Sequence, residues 1–302
     1  MTNENLKKFY LKDYFDNVII YNDTNYINHW GLININLPNS LTYAENEYFF
    51  NLALNNENIS TVIISDLLYK LLDKKPNKNL IIAENPKVEF WKFHNFIAKK
   101  LKSEFKKISK SAFIHPTVFI GNNVIIGENV KIEPNVTILD NVIIKNNVHI
   151  HSGSVIGSSG LQTFEYNNKL ELVEHVGGVI IHDNVKILSG VNISKGIFPY
   201  EFTEVGKNSV ISIQSSIGHC SKIGKNCMIA GNSLISGSVN IEDDVWIGPS
   251  VSIKNGIKIG KKSKILIGSV IIENVEEGEV VSGNFAYNHI KRIKNYLKEK
   301  LK

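Results

Sequence analysis

The stretch ISIQSSIGHCSKIGKNCMIAGNSLISGSVNIEDDVWI, residues 211–247, sets isoleucine at 211, 217, 223, 229, 235, 241 and 247, one in every six. An amphipathic helix repeats near 3.6 residues and a half-buried strand near 2, so neither accounts for a strict six. A three-sided coil does. Each short strand plus its corner consumes one hexapeptide, three hexapeptides close a turn, and the aliphatic side chains stack inside. Glycine, asparagine and aspartate follow the aliphatic position (Ile120-Gly-Asn-Asn, Ile241-Glu-Asp-Asp), as corners with unusual backbone angles require.

The rhythm extends both ways. It begins at Ile114 and returns at 120, 126, 132, 138, 144, 150 and 156. A break covers residues 157–178, after which the period resumes at Ile181, Ile187 and Ile193. It skips a step at Pro199, restarts at Val205 and runs through Ile253, Ile259 and Ile265 to Ile271. The break is too long for a corner and reads as a loop projecting from the coil, of the kind that often carries function.

Residues 1–110 lack the repeat. Segments 17–21, 61–65 and 80–83 read as buried strands, and 45–54 and 88–101 have helical periodicity, which together predict a small α/β domain. Residues 283–302 read as a short basic helix with Ile290, Ile293 and Leu297 on one stripe. The expected organisation is a mainly β protein: an α/β domain over 1–110, a parallel β-helix over 111–282 with the loop at 157–178, and a C-terminal helix.

Apolar residues make up 43% and charged residues 21% of the 302, as in ordinary globular proteins. The net charge of +5 favours anionic small molecules such as nucleotides or coenzyme A, or an acidic carrier protein. The lysines are scattered rather than gathered on one face with aromatics, which argues against a nucleic-acid partner. Two cysteines, Cys220 and Cys227, form no disulfide framework or zinc spacing, and no metal is expected. The first residues lack the apolar core of a signal peptide and no run approaches transmembrane length, so a cytoplasmic location is expected.

With no P-loop or dinucleotide fingerprint, chemistry falls to histidines, carboxylates and backbone donors. His219 stands two residues after an inward isoleucine, at a corner, and imidazole suits proton removal near neutral pH. Four other histidines, 115, 149, 151 and 182, also occupy repeat positions. Gly237 follows His219 by eighteen residues, one full turn, which places it directly above in the next layer. A glycine there leaves its amide accessible to a small oxygen, as an oxyanion hole requires.

Residues 211–237 resemble the N-acyltransferases that act on UDP-3-O-acylglucosamine in lipid A synthesis, which show a Q-I-A-H motif followed by I-G and I-A-G steps. Ser154-Val-Ile-Gly-Ser-Ser-Gly160 is similar to that family's V-V-G-x-D-G segment, and Ser40-Leu-Thr-Tyr-Ala-Glu-Asn-Glu-Tyr-Phe to its uracil-binding segment. The resemblance implies a left-handed coil, a homotrimer, His219 as catalytic base and Gly237 as oxyanion donor. It also implies that Tyr43, Asn46 and Phe49 hold the nucleotide base between aromatics and an amide.

There are departures. The family's carboxylate seven residues before the histidine is Ser212, its second histidine is replaced by Gly256, and its T-I-D-R-G run is Asn192-Ile-Ser-Lys-Gly196. Meanwhile Asp244-Val-Trp-Ile-Gly-Pro-Ser-Val and Asn255-Gly-Ile-Lys-Ile-Gly look like coenzyme A-dependent sugar acetyltransferases, with Asn255 and Gly256 in the acyl-donor region. The expected function is acyl transfer from a thioester, acyl-CoA by preference, to the amine of a nucleotide-linked amino sugar. No tightly bound cofactor is expected. The alternatives are the lipid A enzyme with hydroxyacyl carrier protein, a sugar O-acyltransferase and a non-catalytic scaffold.

Overall fold

A computed structural model describes residues 7–22, 24–101 and 104–283, with 290, 294 and 297–299 near the end. The chain divides into two compact units. One takes the described residues up to Leu101 together with Leu161–Val176, and the other takes 104–160 and the chain from Gly177.

The first unit is a five-stranded sheet in the order Val18–Ile19, Asn79–Ile82, Ile59–Ile64, Ser40–Tyr43, His29–Trp30. The first pair is antiparallel and the others parallel. Helices α1 (Glu47–Asn55), α2 (Asp66–Lys70) and α3 (Pro86–Ala98) follow successive parallel strands. Each begins at a side-chain cap, Asn46, Ser65 and Asn85 accepting from the amides of Phe49, Leu68 and Val88. The interior strands 59–64 and 79–82 carry the apolar runs 62–64 and 80–82 because both of their faces are covered. The three expected strands and two expected helices are present with shifted ends. Ser40–Tyr43 and His29–Trp30 are additional strands, too short for alternation to reveal.

The break in the hexad rhythm takes an unexpected form. Thr163–Tyr166 and Lys169–Leu172 pair as an antiparallel hairpin. Its turn residues, Asn167 and Asn168, both have φ above +50°, the type I′ geometry that hairpin twist favours. Phe164 and Val173 are buried, and Asn95 on α3 donates from Nδ2 to Leu172 O (2.8 Å) and accepts at Oδ1 from Glu174 N (2.9 Å). His94 is fully buried beside it, accepting from Trp30 Nε1 at 2.9 Å and donating from Nε2 to Glu174 O at 2.7 Å. Desolvation lowers its pKa to about 4, so the ring stays neutral and keeps this tautomer. The sequence reading attached this segment to the coil as a projecting loop. Its buried apolar side chains and these hydrogen bonds instead group 161–176 with the α/β unit.

The second unit is the coil. Among the described residues, its strands form three parallel sheets of eight, eight and nine strands. Equivalent isoleucines pair at one turn, as Ile217 with Ile235 and Ile235 with Ile253. The hairpin excursion and a short loop at 195–201 lengthen two turns to 37 and 24 residues; the inward isoleucines still pair across them, with a bulge between Ile156 and Ser158 where the first excursion departs. Every inward residue of the series from Ile126 to Ile271 is buried, most of them completely.

Corners take the left-handed backbone region at Asn123, Asn129, Asn141, Asn147, Asn226 and their equivalents, with φ of 54–66°. Asparagine tolerates this angle and also ties the turns together. A side-chain ladder climbs one edge through Asn129, Asn147, Asn184, Asn208 and Asn226 to Asp244, with steps of 2.9–3.3 Å.

Two residues before each inward isoleucine lies a second inward position, filled by valine, serine or cysteine except at Ala112 and Ile257. The buried serines are satisfied: Ser209, Ser215, Ser221 and Ser233 donate to backbone carbonyls of the next turn at 2.8–3.0 Å. Burial of each isoleucine side chain stabilises the fold by ~1.5–3 kcal/mol. Ile229→Ala, at a position 1% exposed, is therefore expected to lose about 2–5 kcal/mol, read from a urea titration followed by circular dichroism.

Candidate active site

His219 and Gly237 meet as the eighteen-residue turn requires. The Ser216–Ile217 strand pairs in register with Leu234–Ile235, so the residues two positions beyond each isoleucine share one corner on successive turns. A Cβ on Gly237 would lie 2.6 Å from His219 Nε2 and 2.7 Å from Cε1, so the imidazole rests against the glycine α-carbon. Ser238 N donates to His219 O at 2.8 Å and Gly256 N to Gly237 O at 3.0 Å, which fixes the vertical order of the column. Gly218 keeps the turns close: a Cβ there would stand 2.5 Å from Gly237 N.

Some corner amides at this position of the repeat are capped by a side-chain oxygen one turn on, as Asn122 N by Asp140 Oδ1 (2.7 Å) and Lys225 N by Asp243 Oδ1 (2.8 Å). Among the described residues the Gly237 N–H makes no backbone hydrogen bond. Gly237 in turn brings no side chain over His219.

His219 is half-buried, and desolvation pushes its pKa below the usual 6.5. At neutral pH the ring is therefore the free base. The neighbouring Cys220 is not a competing nucleophile. Burial and then the Glu201 carboxylate, 3.2 Å from its sulfur, push the thiol far above its ordinary range. Burial likewise raises Cys227, to about 11. Ser212, at the position of the family's carboxylate, follows the Val210–Ile211 strand of a different sheet and donates its amide to Ile229 O.

Asn255 and Gly256 continue the column one turn above Gly237, exposed, with Gly256 at φ +76°. Tyr43, Asn46 and Phe49 belong to the α/β unit. Tyr43 packs its ring on Phe90 at 5.1 Å, and burial raises its pKa to about 12. Asn46 Oδ1 caps α1, and Phe49 is exposed with its ring edge-on to Tyr48 at 5.4 Å.

Two features went unread in the sequence. A groove of about 490 Å³ in the α/β unit is lined by Tyr14, Phe93, Phe96, Phe164 and Tyr166 with Lys92 and Lys99. Phe93 and Phe96 have helical spacing, but Tyr14 and the hairpin aromatics come from distant segments that no local pattern connects. On one wall of the coil, Glu133, His149 and His151 gather their donor atoms within 4.8 Å of one another. The eighteen-residue turn applied to Glu133 would have found that cluster.

The family model described as bacterial transferase hexapeptide (six repeats) matches residues 106–140, 123–158 and 202–237. Over 134 residues the chain is 33% identical to UDP-3-O-acylglucosamine N-acyltransferase 2 of Rhodopseudomonas palustris, covering 44% of this chain and 35% of that one. Over 60 residues it is 47% identical to a 2,3,4,5-tetrahydropyridine-2,6-dicarboxylate N-acetyltransferase of Clostridium perfringens, covering 20% and 25%. The chain thus spans about a third or less of the length of these relatives. A solved UDP-N-acetylglucosamine acyltransferase of Francisella novicida is similar at 24% identity, with a TM-score of 0.49, over 63% of this chain and 71% of that one. With its hexapeptide repeats wound into three parallel sheets, the chain is a left-handed β-helix of the hexapeptide-repeat kind that resembles the UDP-3-O-acylglucosamine N-acyltransferases.

Proposed function

We propose that the chain transfers an acyl group from an acyl thioester to the amino group of a nucleotide-linked amino sugar. The observation that carries this reading is the His219–Gly237 pair: a neutral imidazole against a glycine whose amide makes no backbone hydrogen bond. The sugar amine attacks the thioester carbonyl and a C–N bond forms. His219 accepts the amine proton, and the Gly237 N–H donates to the oxyanion of the tetrahedral intermediate. Collapse breaks the C–S bond, and the imidazolium returns the proton to the departing thiolate. No covalent acyl-enzyme is needed, which agrees with the raised pKa of Cys220.

The likeness to UDP-3-O-acylglucosamine N-acyltransferases supports a nucleotide-sugar acceptor. The exposed Phe49 and the amide of Asn46 are the groups we assign to the base, with Tyr43 beside them. The local likeness to an N-acetyltransferase supports a short acyl group on coenzyme A, with Asn255 and Gly256 near the donor. A second reading, the lipid A N-acyltransferase with hydroxyacyl carrier protein, draws on the longer alignments. We assign a homotrimer with sites between neighbouring prisms, the closed cyclic form expected of such assemblies. Among the described residues no helix is long and apolar enough to cross a membrane.

His219→Ala is expected to retain the circular dichroism of the coil and lose about 10²–10⁴-fold in kcat/KM. Because the free base is the active form, the wild-type rate should fall as pH drops through a pKa below 6.5. That acid limb should vanish in the variant, and near-normal turnover by it would rule out the base assignment.

Gly237→Ala places a methyl 2.6 Å from His219 Nε2 and must displace the ring. Its kcat is expected to fall by about 10²–10³-fold with little change in thermal stability. Mass spectra of products from nucleotide amino sugars offered acetyl-CoA or hydroxyacyl carrier protein separate the two donor readings. The acetylated amide is expected.

A further inference from the structure

His149 and His151 flank the inward Ile150, and strand alternation turns both imidazoles to the outer face of the same wall. Glu133 stands one turn before His151, and the strands Lys131–Ile132 and His149–Ile150 pair in register. Three donor groups from two successive turns therefore converge. Glu133 Oε1 lies 2.8 Å from His149 Nε2, Oε2 lies 3.4 Å from His151 Nδ1, and the two imidazoles stack at 3.9 Å. The side chains are only 23–28% exposed, so the cluster is shielded more than a surface ion pair. Ser152 holds the carboxylate from behind, its amide and hydroxyl each donating to Glu133 Oε2 at 3.3 Å. The acyl-transfer chemistry assigned to His219 uses none of these residues.

We propose that Glu133, His149 and His151 bind a divalent transition metal ion, Zn²⁺ by preference, which clips two successive turns of the coil together. Two imidazoles and one carboxylate suit zinc and its first-row neighbours, whereas magnesium and calcium prefer all-oxygen sites. Three protein ligands leave a position for water. The metal takes the place of the proton that His149 Nε2 shares with Glu133 Oε1. Lys131, whose ammonium lies 3.7 Å from Glu133 Oε1, is the competing cation.

The test uses the full chain, stripped with a chelator and dialysed against Zn²⁺, with Co²⁺ absorption as a probe of coordination. One saturable metal per chain is expected, with visible Co²⁺ bands that millimolar Mg²⁺ does not displace. His151→Ala and the nearly isosteric Glu133→Gln should each weaken binding at least about tenfold. Lys131→Ala should bind as tightly or more tightly. Matching circular dichroism of each variant verifies that the coil is intact, and Zn²⁺ should raise the Tm of the wild type but not of Glu133→Gln. Absence of saturable uptake, or uptake unaltered by both Glu133→Gln and His151→Ala in folded protein, would overturn the assignment.

Discussion

The structure rests on one constraint: aliphatic side chains separated by a full turn must stack in register inside a narrow three-sided coil. Ile217, Ile235, Ile253 and Ile271 form one such column, and the ladder hydrogen bonds between their strands run parallel throughout. Because side chains alternate across each strand, slipping the register by one residue would expose the isoleucines. The corners enforce the same register from outside, through the asparagine ladder and the buried serines that donate to the next turn.

This rigidity is what sets the candidate chemistry. A general base is useful only if its position relative to the oxyanion donor is fixed in advance. Here the spacing between the His219 imidazole and the Gly237 backbone is the rise of one turn, and it is held by Gly218 below and Gly256 above. The two excursions, at 161–176 and 195–201, are accommodated by lengthening single turns, so neither disturbs the column. Burial, and then Glu201 in the second of them, keep Cys220 protonated beside His219. The same stacking rule that joins His219 to Gly237 joins Glu133 to His151 on another wall. Any two positions one turn apart are neighbours, and the coil is in this sense a template for clusters.

Much of this is legible in the sequence, because hydrophobic period and turn length are local properties. The inward isoleucines, the stacking of Gly237 on His219 and the corner asparagines all follow from counting residues. The hairpin at 163–172 was less accessible. Its second strand alternates Leu170 and Leu172 with charged residues yet leaves both exposed, and the hydrogen-bonding partners on α3, His94 and Asn95, lie some eighty residues earlier. The strands Ser40–Tyr43 and His29–Trp30 were missed because pairing with longer neighbours, rather than their own propensity, makes them strands. Tyr43 shows the limit for site residues. An aromatic in a recognisable motif also packs on Phe90 of the core, and sequence alone does not separate the two roles.

Crystallographic diffraction from the chain, at a resolution that defines imidazole orientation, tests the central claim most directly. The account requires the His219 ring in van der Waals contact with the Gly237 α-carbon on consecutive turns of one corner. Density that put the two residues on different walls, or a coil whose turn was not eighteen residues there, would contradict it.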